Sequence, residues 1–167
     1  MRTPATIAKH PLHPMLIVFP VGLWIFSLVC DIVVLAGATS PGWQTAAFYT
    51  MVGGLVGALA AAVPGLIDLV SPQLAPVRRI AITHMVLNLV AVALYAVNIW
   101  LRTQATIDMR WPVLLSVIAV IILAVSGWLG GEMVHVHGVG VEEHGELPEP
   151  GAASARGDRW TEGATPR

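Results

Sequence analysis

Four long apolar runs, Met15 to Leu35, Ala46 to Ile67, Ile80 to Leu101 and Trp111 to Gly131, alternate with short polar connections. Each holds about 20 residues, enough to cross a hydrocarbon core of roughly 30 Å at about 1.5 Å per residue. Asp31 is the only formally charged residue inside them. Ser40-Pro41-Gly42 and Ser71-Pro72 read as helix stops, and Pro112 suits a first helical turn, so the runs are helices rather than barrel strands. Connections this short make neighbouring helices antiparallel. The pattern predicts an all-α fold, an integral membrane four-helix bundle running up-down-up-down. Residues 1–14 form an N-terminal segment, 15–137 the transmembrane domain and 138–167 a disordered C-terminal tail.

Composition agrees with a lipid environment. Hydrophobic residues make up 56% of the chain and charged residues 11%, with a mean hydropathy of +0.74; soluble domains carry roughly 25% charged residues. Pro20 and Pro64 fit, since lipid-embedded helices tolerate proline. An N-terminal signal peptide is the competing reading of Arg2 and Lys9 followed by an apolar run and Ala36-Gly37-Ala38, but the run is too long and carries Asp31. The tail, with Glu142, Glu143, Glu146 and Glu149 and few large apolar residues, cannot bury a core. A single cysteine, Cys30, excludes a disulfide framework and a Cys-x-x-Cys-His haem attachment. There is no Walker signature, no basic aromatic surface for nucleic acid and no hydrolase constellation around Ser27, Ser116 or Ser126.

Polar positions inside the spans recur with helical period. At about 100° per residue, His84, Asn88, Tyr95, Asn98 and Arg102 fall on one stripe of the third span, and His13, Trp24, Ser27 and Asp31 on one stripe of the first. Such groups avoid lipid and face the bundle interior. His13 to Asp31 and His84 to Arg102 are both 18 residues, which sets Asp31 level with Arg102 as a structural polar pair and is consistent with a duplicated two-helix unit, although the second and fourth spans do not repeat clearly. In the second span Gly53, Gly57, Ala61 and Gly65 recur every fourth residue, a close-packing signal, and Asp68 follows on the same face. At the end of the fourth, Glu132 and His135 have Glu-x-x-His spacing; of His135 and His137 only one can face inward on a continuing helix, and His135 is preferred.

The histidine-bearing ends of the four helices therefore collect His10, His13, Asp68, His84, Glu132, His135 and His137, imidazoles and carboxylates suited to a transition metal ion. Alternatively, His13 and His84, on diagonal spans, are candidate axial ligands of haem b. A hydrogen-bonded helix clamp explains the same residues without any cofactor.

His10-Pro-Leu-His13-Pro, Pro64-Gly-Leu-Ile-Asp68, His84 with Asn88, and Gly130-Gly131-Glu132-Met-Val-His135-Val-His137-Gly138-Val-Gly-Val, in that order, resemble a bacterial membrane family catalogued as domain of unknown function 2231. The resemblance covers about residues 9 to 141 and implies a four-helix membrane domain of no established activity. Some relatives join a similar domain to a Rieske-type iron-sulfur domain, which leans the reading toward redox work with a membrane redox partner; the tail here lacks the Cys and His needed to hold such a cluster. The expectation is a small redox or metal-handling module in the bacterial cytoplasmic membrane. The alternatives are a proton- or solute-handling protein or a structural partner.

Arg2, Lys9, Arg78, Arg79, Arg156, Arg159 and Arg167 flank one side of the spans, and only Arg102 and Arg110 the other, which predicts both termini in the cytoplasm. Reporter fusions after Gly42 and after Thr106 should then read as periplasmic; cytoplasmic signals there would reverse the orientation.

Overall fold

The computed structural model describes residues 3–104, 106 and 108–141. The tail from Glu142 onward, His144 included, lies outside the described residues. Thr6–Ile7 (β1) and His10–Pro11 (β2) form a small antiparallel ladder, with Thr6 opposite Pro11 and Ile7 opposite His10. Its turn residues, Ala8 and Lys9, have φ of 48° and 68°. A two-residue hairpin of the I′ type needs both in the left-handed region, and here neither is Gly or Asn. The sequence pattern carries no hint of this hairpin for that reason.

The first span is Leu12–Leu16 (α1) followed by Val18–Leu35 (α2). Pro20 has no N–H to offer the Leu16 carbonyl, so the ladder breaks at Ile17 while Val21 still donates to the Ile17 carbonyl at 3.2 Å. Gly37, at φ 102°, ends α2; its N–H reaches the Val34 carbonyl and the Ala38 N–H the Val33 carbonyl. Pro41–Val70 (α3) starts earlier than the apolar run, because Ser40 caps the Gly42 N–H and Pro41 occupies the first turn. Its 30 residues reach roughly 45 Å at about 1.5 Å each, longer than the hydrocarbon core. A 3₁₀ turn over Pro72–Val77 leads into Arg78–Arg102 (α4), and Arg110–His135 (α5) completes the chain of spans. All four spans are long and apolar enough to cross a membrane.

α2 packs chiefly on α3 and α4 on α5, with thinner seams between α3 and α4 and between α2 and α5. The first and third spans are thus diagonal and meet through side chains. The core is Trp24, Met51, Tyr95 and Ala119. Trp24 and Tyr95 stack with ring centroids 4.2 Å apart and planes 11° apart, and the Trp24 indole N–H donates to the Met51 carbonyl at 3.1 Å. Cys30 is fully buried nearby on α2. A second cluster of Leu74, Val77, Ala81 and Met133, with Val139 against it, closes the other end of α4 and α5. Val18, Phe19, Val56, Val63, Ile121, Val125 and Trp128 point outward, as a lipid-facing surface requires.

Gly54 lies under the Trp24 indole, where a Cβ would come within 2.5 Å of the ring, whereas a Cβ at Gly22 would meet open space. Gly54→Ala should therefore lower stability by about 1–3 kcal/mol through overpacking. Thermal unfolding of the detergent-solubilised protein checks this, with Gly22→Ala close to wild type.

Candidate functional site: a histidine pair at one end of the bundle

His13, in the short α1, turns its ring toward α3, and the ring Nδ1–H donates to the Ala61 carbonyl at 2.8 Å. His84, two turns into α4, does the same toward α5: Nδ1–H donates to the Ser126 carbonyl at 2.8 Å and lies 2.9 Å from Ser126 Oγ. A backbone carbonyl only accepts, so both rings carry a proton on Nδ1. Each imidazole occupies a notch made by a glycine four residues beyond its acceptor. A Cβ at Gly65 would sit 2.8 Å from His13 Nδ1, and one at Gly130 3.3 Å from His84 Cε1. The two rings face each other edge-on, centroids 6.1 Å apart at 86°.

Their second nitrogens differ. Asn88 Nδ2 donates to the His84 carbonyl at 3.0 Å, which fixes that atom as the amide nitrogen, and its remaining hydrogen goes to His84 Nε2, also at 3.0 Å. His84 Nε2 is therefore an acceptor and the ring is neutral. Ser126 Oγ–H donates to the His84 carbonyl at 3.3 Å, so the ring is not a base for that hydroxyl. His13 Nε2 has no hydrogen-bond partner among the described residues.

The other candidates make contacts of their own outside the pair. Asp68 is buried, but its Oδ1 accepts the Ala5 N–H at 2.8 Å, tying the N-terminal hairpin to the end of α3. His10 is exposed and its Nδ1–H donates to the Ala8 carbonyl, within its own hairpin. Of the last two histidines, the preference for His135 is reversed: His135 is exposed, whereas His137 is half-buried. The helix ends at His135, and a turn through Gly138, at φ 64°, folds the following residues back, with the His137 ring 3.3 Å from the Glu132 carbonyl. Glu132 is half-buried on the last turn of α5. Among the described residues, no three His, Cys, Asp or Glu side chains are grouped so as to hold a metal ion. Of the seven residues expected at this end, His13 and His84 face each other directly. Of the residues that position this pair, Ala61 and Gly65 read in the sequence as close packing and Asn88 as part of the inward stripe, while the acceptor role of Ala61 and Ser126 and the notch at Gly130 carry no residue-type signal. The i, i+4 spacing of acceptor and glycine was the available signal.

The family model described as "Predicted membrane protein (DUF2231)" matches residues 9–143. The chain belongs to the DUF2231 family. Searches of curated proteins and of solved structures give no match. The matched DUF2231 region takes in the whole histidine end, from His10 to Gly140, as well as the far end of the bundle.

At that far end of the DUF2231 bundle, Arg102 and Asp31 form a bidentate ion pair, Nη1 to Oδ1 at 2.9 Å and Nη2 to Oδ2 at 2.6 Å, with side chains 4% and 3% exposed. Arg102 Nε–H also donates to Asn98 Oδ1, and Asn98 Nδ2 donates to the Pro112 carbonyl and to Ser116 Oγ. The pair thereby locks α2 to α4 and, through Asn98, to α5. Asp31→Ala should cost about 3–5 kcal/mol, because it strands a buried guanidinium, and the double variant with Arg102→Ala should recover part of that loss. A double-mutant cycle on unfolding reads the coupling; additive effects would contradict it.

Proposed function

We propose that this protein is a proton-binding membrane module whose working group is the His13 imidazole in its pair with His84. One observation carries the reading. His13 is half-buried inside the end of the bundle, aimed by its Nδ1 bond to α3, while Nε2 has no hydrogen-bond partner among the described residues. Ionisable groups inside membrane helices are functional by default, and imidazole is the side chain whose ordinary charge change falls in the physiological pH range. The buried Trp24–Tyr95 stack lies between this site and the Asp31–Arg102 end, which supports proton exchange with the histidine side of the bundle. Lys9, Arg78 and Arg79 on the histidine side, against Arg102 and Arg110 on the other, support a cytoplasmic orientation for that end and for both termini, in a bacterial cytoplasmic membrane.

A second reading, ligation of a transition metal or haem b by His13 in the service of a membrane redox partner, is favoured by one feature. An imidazole whose Nδ1–H is held by a carbonyl is oriented for coordination through Nε2. His84 suits this less well, since both of its ring nitrogens are already engaged.

Back-titration of the detergent-purified protein across about pH 5 to 8 should show wild type taking up about one proton more than a folded His13→Asn variant. Equal uptake overturns proton binding and leaves a helix clamp. Absorption bands of haem or bound metal in wild type, lost in His13→Asn, would establish the second reading instead.

A further inference from the structure

The two helical hairpins are built alike down to their hydrogen bonds. His13, Trp24, Ser27 and Asp31 in the first half stand where His84, Tyr95, Asn98 and Arg102 stand in the second, at the constant offset of 71 residues that separates the ion-paired residues. The acceptors follow at another constant offset, 65 residues. His13 and His84 donate to the carbonyls of positions 61 and 126, and Ser27 and Asn98 to those of positions 47 and 112. Gly65 and Gly130, which make the notches, keep the same offset. The difference is a connection six residues shorter in the second hairpin, since Ser27 to Ala47 spans 20 residues and Asn98 to Pro112 spans 14. Three of the matched pairs touch across the bundle: His13 with His84, Trp24 with Tyr95, Asp31 with Arg102.

Equivalence fails at one position that matters for the chemistry. Asn88, four residues after His84, occupies His84 Nε2; the matching position in the first half is Ile17, which has no polar side chain. We infer that Asn88 makes the two equivalent histidines inequivalent, holding His84 as a neutral Nδ1–H ring and leaving His13 Nε2 as the one position of the pair that accepts a proton. This rests on the proton-binding reading above and names the residue that decides where the proton goes. A proton on His84 Nε2 would have to displace the amide hydrogen of Asn88, which can rotate away only by giving up its bond to the His84 carbonyl as well.

The titratable and charged groups around His13 can be enumerated by element. His84 on α4 faces it edge-on, and Asp68 at the end of α3 is the carboxylate that interacts with it electrostatically. Lys9 and His10 in the hairpin, Arg78 and Arg79 on α4, Glu132 and His135 on α5 and His137 beyond it stand at the same end, while Cys30 and Asp31 of α2 stand at the opposite one. These charges affect the strength of proton binding but do not choose the nitrogen. The choice between the rings is made by the Asn88 hydrogen bond.

Nitrogen-15 spectra of histidine-labelled full-length protein in nanodiscs, recorded across the imidazole range, test this ring by ring. In wild type the His13 Nε2 resonance should move from the unprotonated to the protonated position, and His84 should keep one protonated Nδ1 and one acceptor Nε2 throughout. In Asn88→Leu, His84 should begin to titrate. Ile17→Asn, which builds the same amide over His13, should suppress the His13 transition. Titration of His84 with a static His13 in wild type, or an unchanged His13 transition in Ile17→Asn, would overturn the inference while leaving proton binding by the pair intact. Absence of any transition in both rings, in wild type and in Asn88→Leu, would overturn the proton-binding reading as well.

Discussion

Side chains of the first and third spans donate hydrogen bonds to main-chain carbonyls of the second and fourth, and the rotation of each helix follows from them. His13 reaches Ala61, Trp24 reaches Met51, Ser27 reaches Ala47, His84 reaches Ser126 and Asn98 reaches Pro112. In lipid there is little hydrophobic force between helices, so polar contacts and close packing carry the association. A carbonyl has two lone pairs, and the neighbouring helix can accept a side-chain donor while keeping its own ladder. The donors in turn demand close approach, which is why Gly65, Gly130 and Gly54 lie opposite the rings. The buried Tyr95 hydroxyl, on the same inward stripe, has no hydrogen-bond partner among the described residues.

The spans were legible because twenty apolar residues in a row leave little choice of structure, and the inward stripes because a few polar groups in such a run have nowhere else to go. Asp31 and Arg102 could be paired on paper from two equal spacings on parallel helices. What escaped the sequence was local. The Ala8-Lys9 turn uses residues that do not ordinarily signal a hairpin, and the segment that carries it supplies the Ala5 N–H that Asp68 Oδ1 accepts, a backbone contact with no trace in residue type. His137 is half-buried and His135 exposed because the helix stops at His135 and the chain turns back through Gly138, which helical periodicity does not foresee. The repeat in the second and fourth spans was hidden by its different offset and by its use of carbonyls, which leave no trace in residue type.

Similarity between the halves also explains why the histidine pair looks like a ligand site when viewed as sequence. Two imidazoles, matched in depth and facing each other, are what a bis-histidine cofactor site requires, yet a repeated hairpin places them so on geometric grounds alone. Only the departures from the repeat carry information about chemistry. Asn88 against Ile17 is one; the opposite charges of Asp31 and Arg102, which turn an equivalent pair into a complementary one, are another.

Cys30, fully enclosed on α2 beside the ion pair, has a consequence of a different kind. A thiol with no exposed surface is shielded from water-borne alkylating reagents, and it is the only one in the chain. The native protein is therefore a silent background for single-cysteine accessibility mapping: a cysteine introduced at the hairpin, at the connections or along the lipid face can be labelled without first removing the natural one, and its reactivity then reports the depth and sidedness of that position.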